Sequence, residues 1–153
     1  MVIPKRKAEC QVSLTIAAKY EHISRAREFI LNLARTAAIG EDAVDDIVLA
    51  TVEAVTNSIR HANATCVVVE VCRSSDSMVV RVIDDGQGFD ICPDIREFPR
   101  VEDLGGRGIP FMHYLTDDLS IKSVPGKGTE VILLKRFNGS NSDSCQKSRA
   151  ASG

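Results

Sequence analysis

The sequence predicts a two-layer α+β sandwich, in which helices cover one face of a mixed, mainly antiparallel sheet. The predicted elements follow the order strand, two helices, two strands, loop, helix, two strands. The strand runs after the first helices come in adjacent pairs joined by short turn segments, which is typical of antiparallel hairpins. With 153 residues, of which 44% are hydrophobic and 26% charged, the chain has the size and composition of one globular domain.

The chain opens with a strand and a helix. Residues 10–18 alternate between apolar and polar side chains, which predicts a strand with one buried face. Between 21 and 38 the apolar residues recur at helical spacing instead: Ile23, Ala26, Ile30, Leu33, Ala34 and Ala37. Gly40 ends this helix, and the acids Glu41 and Asp42 suit the positive end of the next one.

A long helix is predicted over residues 42–63, and the rest of the chain is organised around it. At ~100° of rotation per residue, its apolar residues form one stripe for burial: Val44, Ile47, Val48, Thr51, Val52, Val55 and Ile59. Glu53 and Asn57 lie one turn apart on the opposite face, where two polar side chains can contact one ligand. On most helices such a pair is solvated surface, so its interpretation depends on the motifs that follow.

Two hairpins are predicted in the second half of the chain. The first pairs residues 65–73 with 78–83. The second pairs 118–123 with 129–136 around the turn-forming sequence Pro-Gly-Lys-Gly at 125–128. Both should therefore contribute neighbouring antiparallel strands to the sheet.

A loop and a short helix are predicted between the hairpins. Residues 84–103 contain two glycines and two prolines, which indicates a long irregular segment. A short helix follows the glycine-rich segment 105–108, and Pro110 suits its first turn.

Composition predicts where the domain begins and ends and which partners to expect. We expect a folded domain over 10–136, an N-terminal extension over 1–9 and a disordered tail over 137–153, which is poor in apolar residues. A net charge of -2 gives no general reason to expect nucleic acid or an anionic membrane as partner. Five cysteines without a C-x-x-C pair, and no recognisable signal or membrane span, predict reduced thiols in a cytoplasmic protein.

The segment 84–88, Asp-Asp-Gly-Gln-Gly, is the first candidate binding motif. Asp84 continues the phase of Val82, so its carboxylate is expected at the edge of the core, where it needs hydrogen-bond donors. An adenine amino group is one such donor, and Gly86 and Gly88 allow the backbone to approach a base or ribose. Alone, the same segment is more often a plain turn after a strand.

The segment 105–108, Gly-Gly-Arg-Gly, is the second candidate motif, because it precedes a predicted helix. Backbone N–H groups at a helix start suit phosphates, and Arg107 adds positive charge, although a plain helix-entry turn has the same composition. Asn57 offers an amide oxygen for Mg²⁺, and Glu53 could accept a proton during attack on a γ-phosphate. Thr129 could hydrogen-bond the base.

These motifs, in this order, resemble those of the GHKL superfamily of histidine kinase-like ATPases. Glu-Ala-Val-Thr-Asn at 53–57 is similar to the N box, 84–88 and Gly-Arg-Gly at 106–108 to the two glycine boxes, and 128–129 to the terminal Gly-Thr. The compact length and the sequence from Asp117 to Val131 resemble the anti-sigma factor serine/threonine protein kinases of that superfamily. The resemblance covers about residues 10 to 136.

The resemblance implies a Bergerat-type sandwich that uses ATP and Mg²⁺. It implies that Glu53 is the general base, that Asn57 contacts the magnesium ion and that Asp84 contacts the adenine amino group. The other residues implied to bind the nucleotide are Gly86, Gly88, Gly106, Arg107, Gly108 and Thr129. Residues 90–103 resemble the ATP lid, with Leu104 where some relatives carry a basic residue.

The resemblance also implies partners: a sigma factor, which the protein holds inactive, and an anti-anti-sigma antagonist protein, which it phosphorylates on serine. It implies a homodimer as well. The alternative is a nucleotide-gated partner-binding module of the same type without phosphoryl transfer. A histidine kinase module is disfavoured, because only residues 1–8 precede the first predicted strand, and an ATPase of the MutL kind would be expected to bring further domains.

Overall fold

One layer of the fold is a five-stranded sheet with the strand order β1-β2-β3-β5-β4. The computed structural model describes residues 10–36, 39–89 and 108–137. The strands are β1 (Cys10–Ala17), β2 (Cys66–Arg73), β3 (Ser77–Asp84), β4 (Asp118–Val124) and β5 (Gly128–Arg136). The predicted sandwich class and both hairpins are confirmed. The described pairings are all antiparallel rather than mixed, because β5, which runs opposite to β3, is the inner strand of the second hairpin.

The second layer consists of three helices: α1 (Ile23–Arg35), α2 (Glu41–His61) and α3 (Gly108–Leu115). α1 packs against α2 and β1, and α2 packs against β3, β5 and α3. The first helix was predicted from residue 21, but Tyr20–His22 form a 3-10 turn and the α-helix begins at Ile23. Lys19 makes no side-chain cap for this turn, and short 3-10 segments are common at helix starts.

The core lies between the helices and one face of the sheet. Alternate residues of β2 and β3 are buried there: Val67, Val69, Val71, Met78, Val80 and Val82. In the stripe predicted for α2, five residues are buried and two are half-buried. A second side of α2 is buried as well, with Ala50, Ala54 and Ser58, because α3 and β5 also pack on this helix.

The ends of three strands meet at one end of the sandwich. Asp84, the last residue of β3, pairs with Thr129 at the start of β5. Thr129 in turn pairs with Ser123 near the end of β4. The second half of α2 and the start of α3 lie over this row of polar residues, so the fold brings the separated sequence motifs together.

Some predictions lie outside the described residues. These are the N-terminal extension over 1–9, the segment 90–103 that resembles a lid, and the tail beyond Phe137. Within the part of the chain that the structure describes, no helix is long and apolar enough to cross a bilayer.

Candidate active site

A cavity of about 320 Å³ lies between α2, the start of α3 and the row of strand ends. This volume is within the roughly 300–1,000 Å³ of typical small-molecule sites. Most of the predicted site residues line it: Glu53, Asn57, Asp84, Gly88, Gly108 and Thr129. Gly86 is not one of the lining residues and packs against Ala62 instead, and Gly106 and Arg107 are outside the described residues.

The polar face of α2 forms one wall of the cavity. Glu53 and Asn57 are both half-buried and both line the cavity, as their one-turn spacing predicts. Gly108 approaches them closely: a methyl group there would overlap the Glu53 carboxylate and lie 2.9 Å from Asn57 Nδ2. A side chain at position 108 would therefore displace the Glu53 carboxylate and the Asn57 amide from the positive end of α3.

Asp84 forms the floor of the cavity. Its side chain is only 5% exposed, which matches the inward direction predicted from the strand phase. The Ser58 hydroxyl donates to Asp84 Oδ2 at 2.8 Å, and the Gly86 N–H donates to Asp84 Oδ1 at 2.9 Å. A carboxylate accepts about four hydrogen bonds, so Asp84 keeps acceptor capacity for a ligand in the cavity.

Asp85 has a different role from Asp84, although the two are adjacent. Its carboxylate accepts hydrogen bonds from the Thr65 hydroxyl, from the Cys66 N–H at 3.0 Å and from the Thr65 N–H at 2.8 Å. These donors, the Thr65 hydroxyl first, hold the pKa of Asp85 well below its usual range. The hydrogen bonds of Asp85 thus connect the end of β3 to the start of β2 and hold the neighbouring Asp84 at the end of its strand.

The segment after Asp85 is held by backbone hydrogen bonds on both sides. Gln87 N–H donates to the Ala62 carbonyl at 2.7 Å, and the Gln87 carbonyl accepts from Gly126 N–H at 2.6 Å. Gly88 has a φ of 65°, in the left-handed region that favours glycine, and its backbone lines the cavity. Residues 87–89 therefore all line the cavity, and Gly88 provides the position without a side chain that a base or ribose can approach.

Thr129 lies between two polar neighbours on adjacent strands. It pairs with Asp84 across β3 and with Ser123 across β4, and its Oγ1 is 2.8 Å from Ser123 Oγ. Ser123 Oγ also accepts the Phe89 N–H at 2.9 Å. The three side chains form one polar row at the end of the apolar layer, and Thr129 is one of the residues that line the cavity.

Sequence reasoning did not identify Ser58, Arg60 and Ser123 as site residues. Ser58 directly follows Asn57 but holds Asp84, a partner far along the chain. Arg60, exposed and one turn after Asn57, lines the cavity as a cation. The sequence could have predicted this position of Arg60, because residues three apart on a helix are neighbours and Arg60 lies three residues after Asn57.

The side chains that line the cavity determine which metal ion it can hold. Within residues 10–36, 39–89 and 108–137, no group of three or more His, Cys, Asp or Glu side chains could hold a metal ion. A magnesium ion bound largely by phosphate oxygens and water needs no such group, since it typically takes one or two protein oxygens. The Asn57 amide beside the Glu53 carboxylate fits that requirement.

The antiparallel sandwich, with a polar helix face and a buried acid around one cavity, defines a Bergerat-type nucleotide-binding domain. Residues 16–135 match the family described as the histidine kinase-like ATPase domain, and the chain belongs to this family. The predicted family is thereby confirmed.

Two curated relatives indicate the branch of the family. The serine-protein kinase RsbW of Listeria monocytogenes is 31% identical over 140 residues, which cover 84% of this chain and 88% of the relative. The anti-sigma F factor of Clostridium acetobutylicum is 29% identical over 140 residues, which cover 84% of this chain and 95% of that relative.

One solved structure supports the fold. The RsbU and RsbW domains of Rv1364c from Mycobacterium tuberculosis superpose with a TM-score of 0.65 at 20% sequence identity. The superposition covers 84% of this chain but only 32% of that longer one.

Proposed function

We propose that this protein is an ATP-dependent serine protein kinase and anti-sigma factor. It binds a sigma factor and phosphorylates an anti-anti-sigma antagonist protein on serine. Because both proposed partners are proteins of the cytoplasm, we propose that it acts there. One observation carries the proposal: Glu53, Asn57 and Asp84 line a single cavity in a chain of the histidine kinase-like ATPase family. The names of the relatives, a serine-protein kinase and an anti-sigma factor, indicate the substrate class and the partner.

The nucleotide binds with its base at the strand ends and its phosphates at α2 and α3. Asp84 accepts a hydrogen bond from the adenine amino group with the capacity left by Ser58 and Gly86. Thr129 contacts the same base from the next strand. Gly88 lines the cavity beside the base and ribose, and Gly86 lets this segment pack closely against Ala62 at the end of α2. The glycine motif 106–108 contacts the phosphates, and Gly108 lines the cavity.

Two arginines supply the positive charge that the phosphates require. Arg60 lines the cavity one turn beyond Asn57, and its planar guanidinium suits phosphate oxygens. Arg107 lies outside the described residues but immediately precedes the first residue of α3 in the sequence, and its proposed role at the phosphates follows from the second glycine motif.

Glu53 acts as the general base. It accepts the proton of the substrate serine hydroxyl while the serine oxygen forms a bond to the γ-phosphorus and the bond to the ADP oxygen breaks. The products are phosphoserine and ADP, and the proton remains on Glu53 until solvent removes it. A magnesium ion, when bound, neutralises the phosphate charge, and Asn57 provides its protein ligand.

The protein acts as a homodimer through the open face of the sheet. Five apolar side chains point away from the helices on β2, β3 and β5: Val68, Val79, Ile83, Leu134 and the 6% exposed Ile132. Arg81 at their centre is neutralised by Glu70 at 2.6 Å and by Glu130. Antiparallel sheets usually have polar residues on a solvated face, so this surface fits a second copy.

Sedimentation of the parent protein and of Ile83→Glu tests the dimer. We expect the parent to sediment as a dimer and the variant as a monomer. A monomeric parent contradicts the proposed dimer.

A phosphoryl-transfer assay tests the proposal. The protein is incubated with γ-labelled ATP, Mg²⁺ and candidate antagonist proteins, and the label on each protein is tested for acid stability. We expect acid-stable label on one antagonist, lost with Glu53→Gln and kept with Glu28→Gln, which alters an exposed acid on α1. Acid-labile label indicates histidine transfer instead. ATP binding without transfer to any antagonist supports the alternative, a nucleotide-gated binding module.

A further inference from the structure

Ser123 lies outside the predicted motifs, yet it contacts two parts of the base end of the cavity. Its Oγ accepts the N–H of Phe89 at 2.9 Å, is 2.8 Å from Thr129 Oγ1 and is 3.3 Å from the Gly128 carbonyl oxygen. A serine hydroxyl has one hydrogen to donate and two lone pairs. Because Phe89 N–H can only donate, one lone pair of Ser123 is already used.

The remaining question is where the single hydrogen of Ser123 goes. The 2.8 Å contact with Thr129 can form with either hydroxyl as donor. If Thr129 donates, the hydrogen of Ser123 has only the Gly128 carbonyl at 3.3 Å, which is longer than the roughly 2.5–3.0 Å usual for a hydroxyl donor. Donation from Ser123 to Thr129 avoids this long contact when an acceptor in the cavity receives the hydrogen of Thr129. When Ser123 donates to Thr129, the hydrogen of the Thr129 hydroxyl is free for the cavity.

We infer that Ser123 is a positioning residue for base selection: it directs its hydrogen to Thr129, so that Thr129 presents a donor to the cavity beside the acceptor Asp84. On a 6-aminopurine, an amino group that donates lies next to a ring nitrogen that accepts. The amino group therefore matches the acceptor Asp84, and the ring nitrogen matches the donor Thr129. A 6-oxopurine presents the reverse order, which sets its carbonyl against the carboxylate. The inference rests on the proposed use of ATP and deepens it.

The test compares ATP with 1-deaza-ATP, which keeps the amino group but lacks the ring nitrogen that accepts from Thr129. Dissociation constants of both nucleotides are measured with Mg²⁺ by titration calorimetry. For the unaltered protein we expect 1-deaza-ATP to bind roughly ten-fold more weakly, as is typical when one ligand hydrogen bond is lost. For Ser123→Ala we expect this penalty to shrink to less than about three-fold.

Two further variants separate positioning from structural support. Loss of the hydrogen bond from the Phe89 N–H should weaken the binding of ATP and of 1-deaza-ATP equally. The ratio of their two dissociation constants then stays unchanged, so a change in this ratio reports the orientation of the Thr129 hydroxyl alone. Ser123→Thr should keep the penalty, and Thr129→Val should abolish it. Ser120→Ala is the matched control, since Ser120 lies on the same strand with its side chain on the opposite face, and it should keep the ratio of the parent.

The outcomes distinguish this inference from the proposed function. A full ten-fold penalty in Ser123→Ala, with serine transfer intact in the parent protein, overturns the role of Ser123 and leaves the kinase proposal standing. Equal affinity of the parent for ATP and 1-deaza-ATP also overturns it. If the parent protein binds neither nucleotide, both the inference and the kinase proposal fail.

Discussion

Replacing Ser58 by alanine should destabilise the fold through a single lost hydrogen bond. Ser58 and Asp84 are each 5% exposed, and the hydroxyl donates to the carboxylate at 2.8 Å. Loss of a hydrogen bond to a buried charged group costs about 1.5–3 kcal/mol. The second contact, from Ser58 Oγ to the Ala54 carbonyl at 3.2 Å, adds little, because the hydroxyl has only one hydrogen.

The cost can be measured by urea unfolding of the parent, Ser58→Ala, Asp84→Ala and the double variant. The double-mutant cycle should give a coupling free energy of about 1.5–3 kcal/mol between the two side chains. In a domain of this length, a loss of 2 kcal/mol corresponds to a fall in Tm of roughly 4–8 °C.

A matched control is Ser24→Ala, which removes an exposed hydroxyl from α1. It should change the free energy of unfolding by no more than about 0.5 kcal/mol. Should Ser58→Ala be as mild as this control, or should the cycle show no coupling, the hydrogen bond does not hold Asp84 in place and the proposed base site loses its support.

Two further predictions follow from close contacts around the cavity. Gly108→Ala should lower kinase activity at least ten-fold at nearly unchanged Tm, because its methyl group overlaps the Glu53 carboxylate. Gly40→Ala is the control, since nothing lies within 4 Å of a methyl group there. Equal kinase activity of the two variants would refute the importance of the contact between Gly108 and Glu53. Asp85 has a lowered pKa, so its stabilising effect is complete above its unfolded pKa of about 4 and is lost as the pH falls below that value. Urea midpoints of Asp85→Asn should therefore change less between pH 5 and pH 3 than those of the parent, and parallel pH profiles would contradict this.

Much of the site was predictable because it depends on local periodicity. The 3.6-residue repeat placed Glu53 and Asn57 on one face of α2, and both line the cavity. The two-residue repeat of β3 directed Asp84 inward, and its side chain is buried. The turn at 125–128 marked the second hairpin, whose strands pair antiparallel.

Contacts between distant segments were not predictable in the same way. Ser58 belongs to a second buried side of α2, and its partner Asp84 lies 26 residues later at the end of β3. The order β3-β5-β4 follows from long-range pairing, and that pairing is what places Thr129 beside Asp84. Asp85 likewise finds its donors at Thr65 and Cys66, 20 and 19 residues earlier in the chain.

Nucleotide binding by two single variants tests most directly whether this cavity is a magnesium–ATP site with a catalytic base. ATP affinity is measured by titration with Mg²⁺ and again with EDTA. Asn57→Ala should lose the part of the binding that depends on Mg²⁺, because the ion loses its protein ligand. Glu53→Ala should bind Mg²⁺-ATP like the parent and fail only in transfer. Full Mg²⁺-dependent affinity in Asn57→Ala would contradict the account.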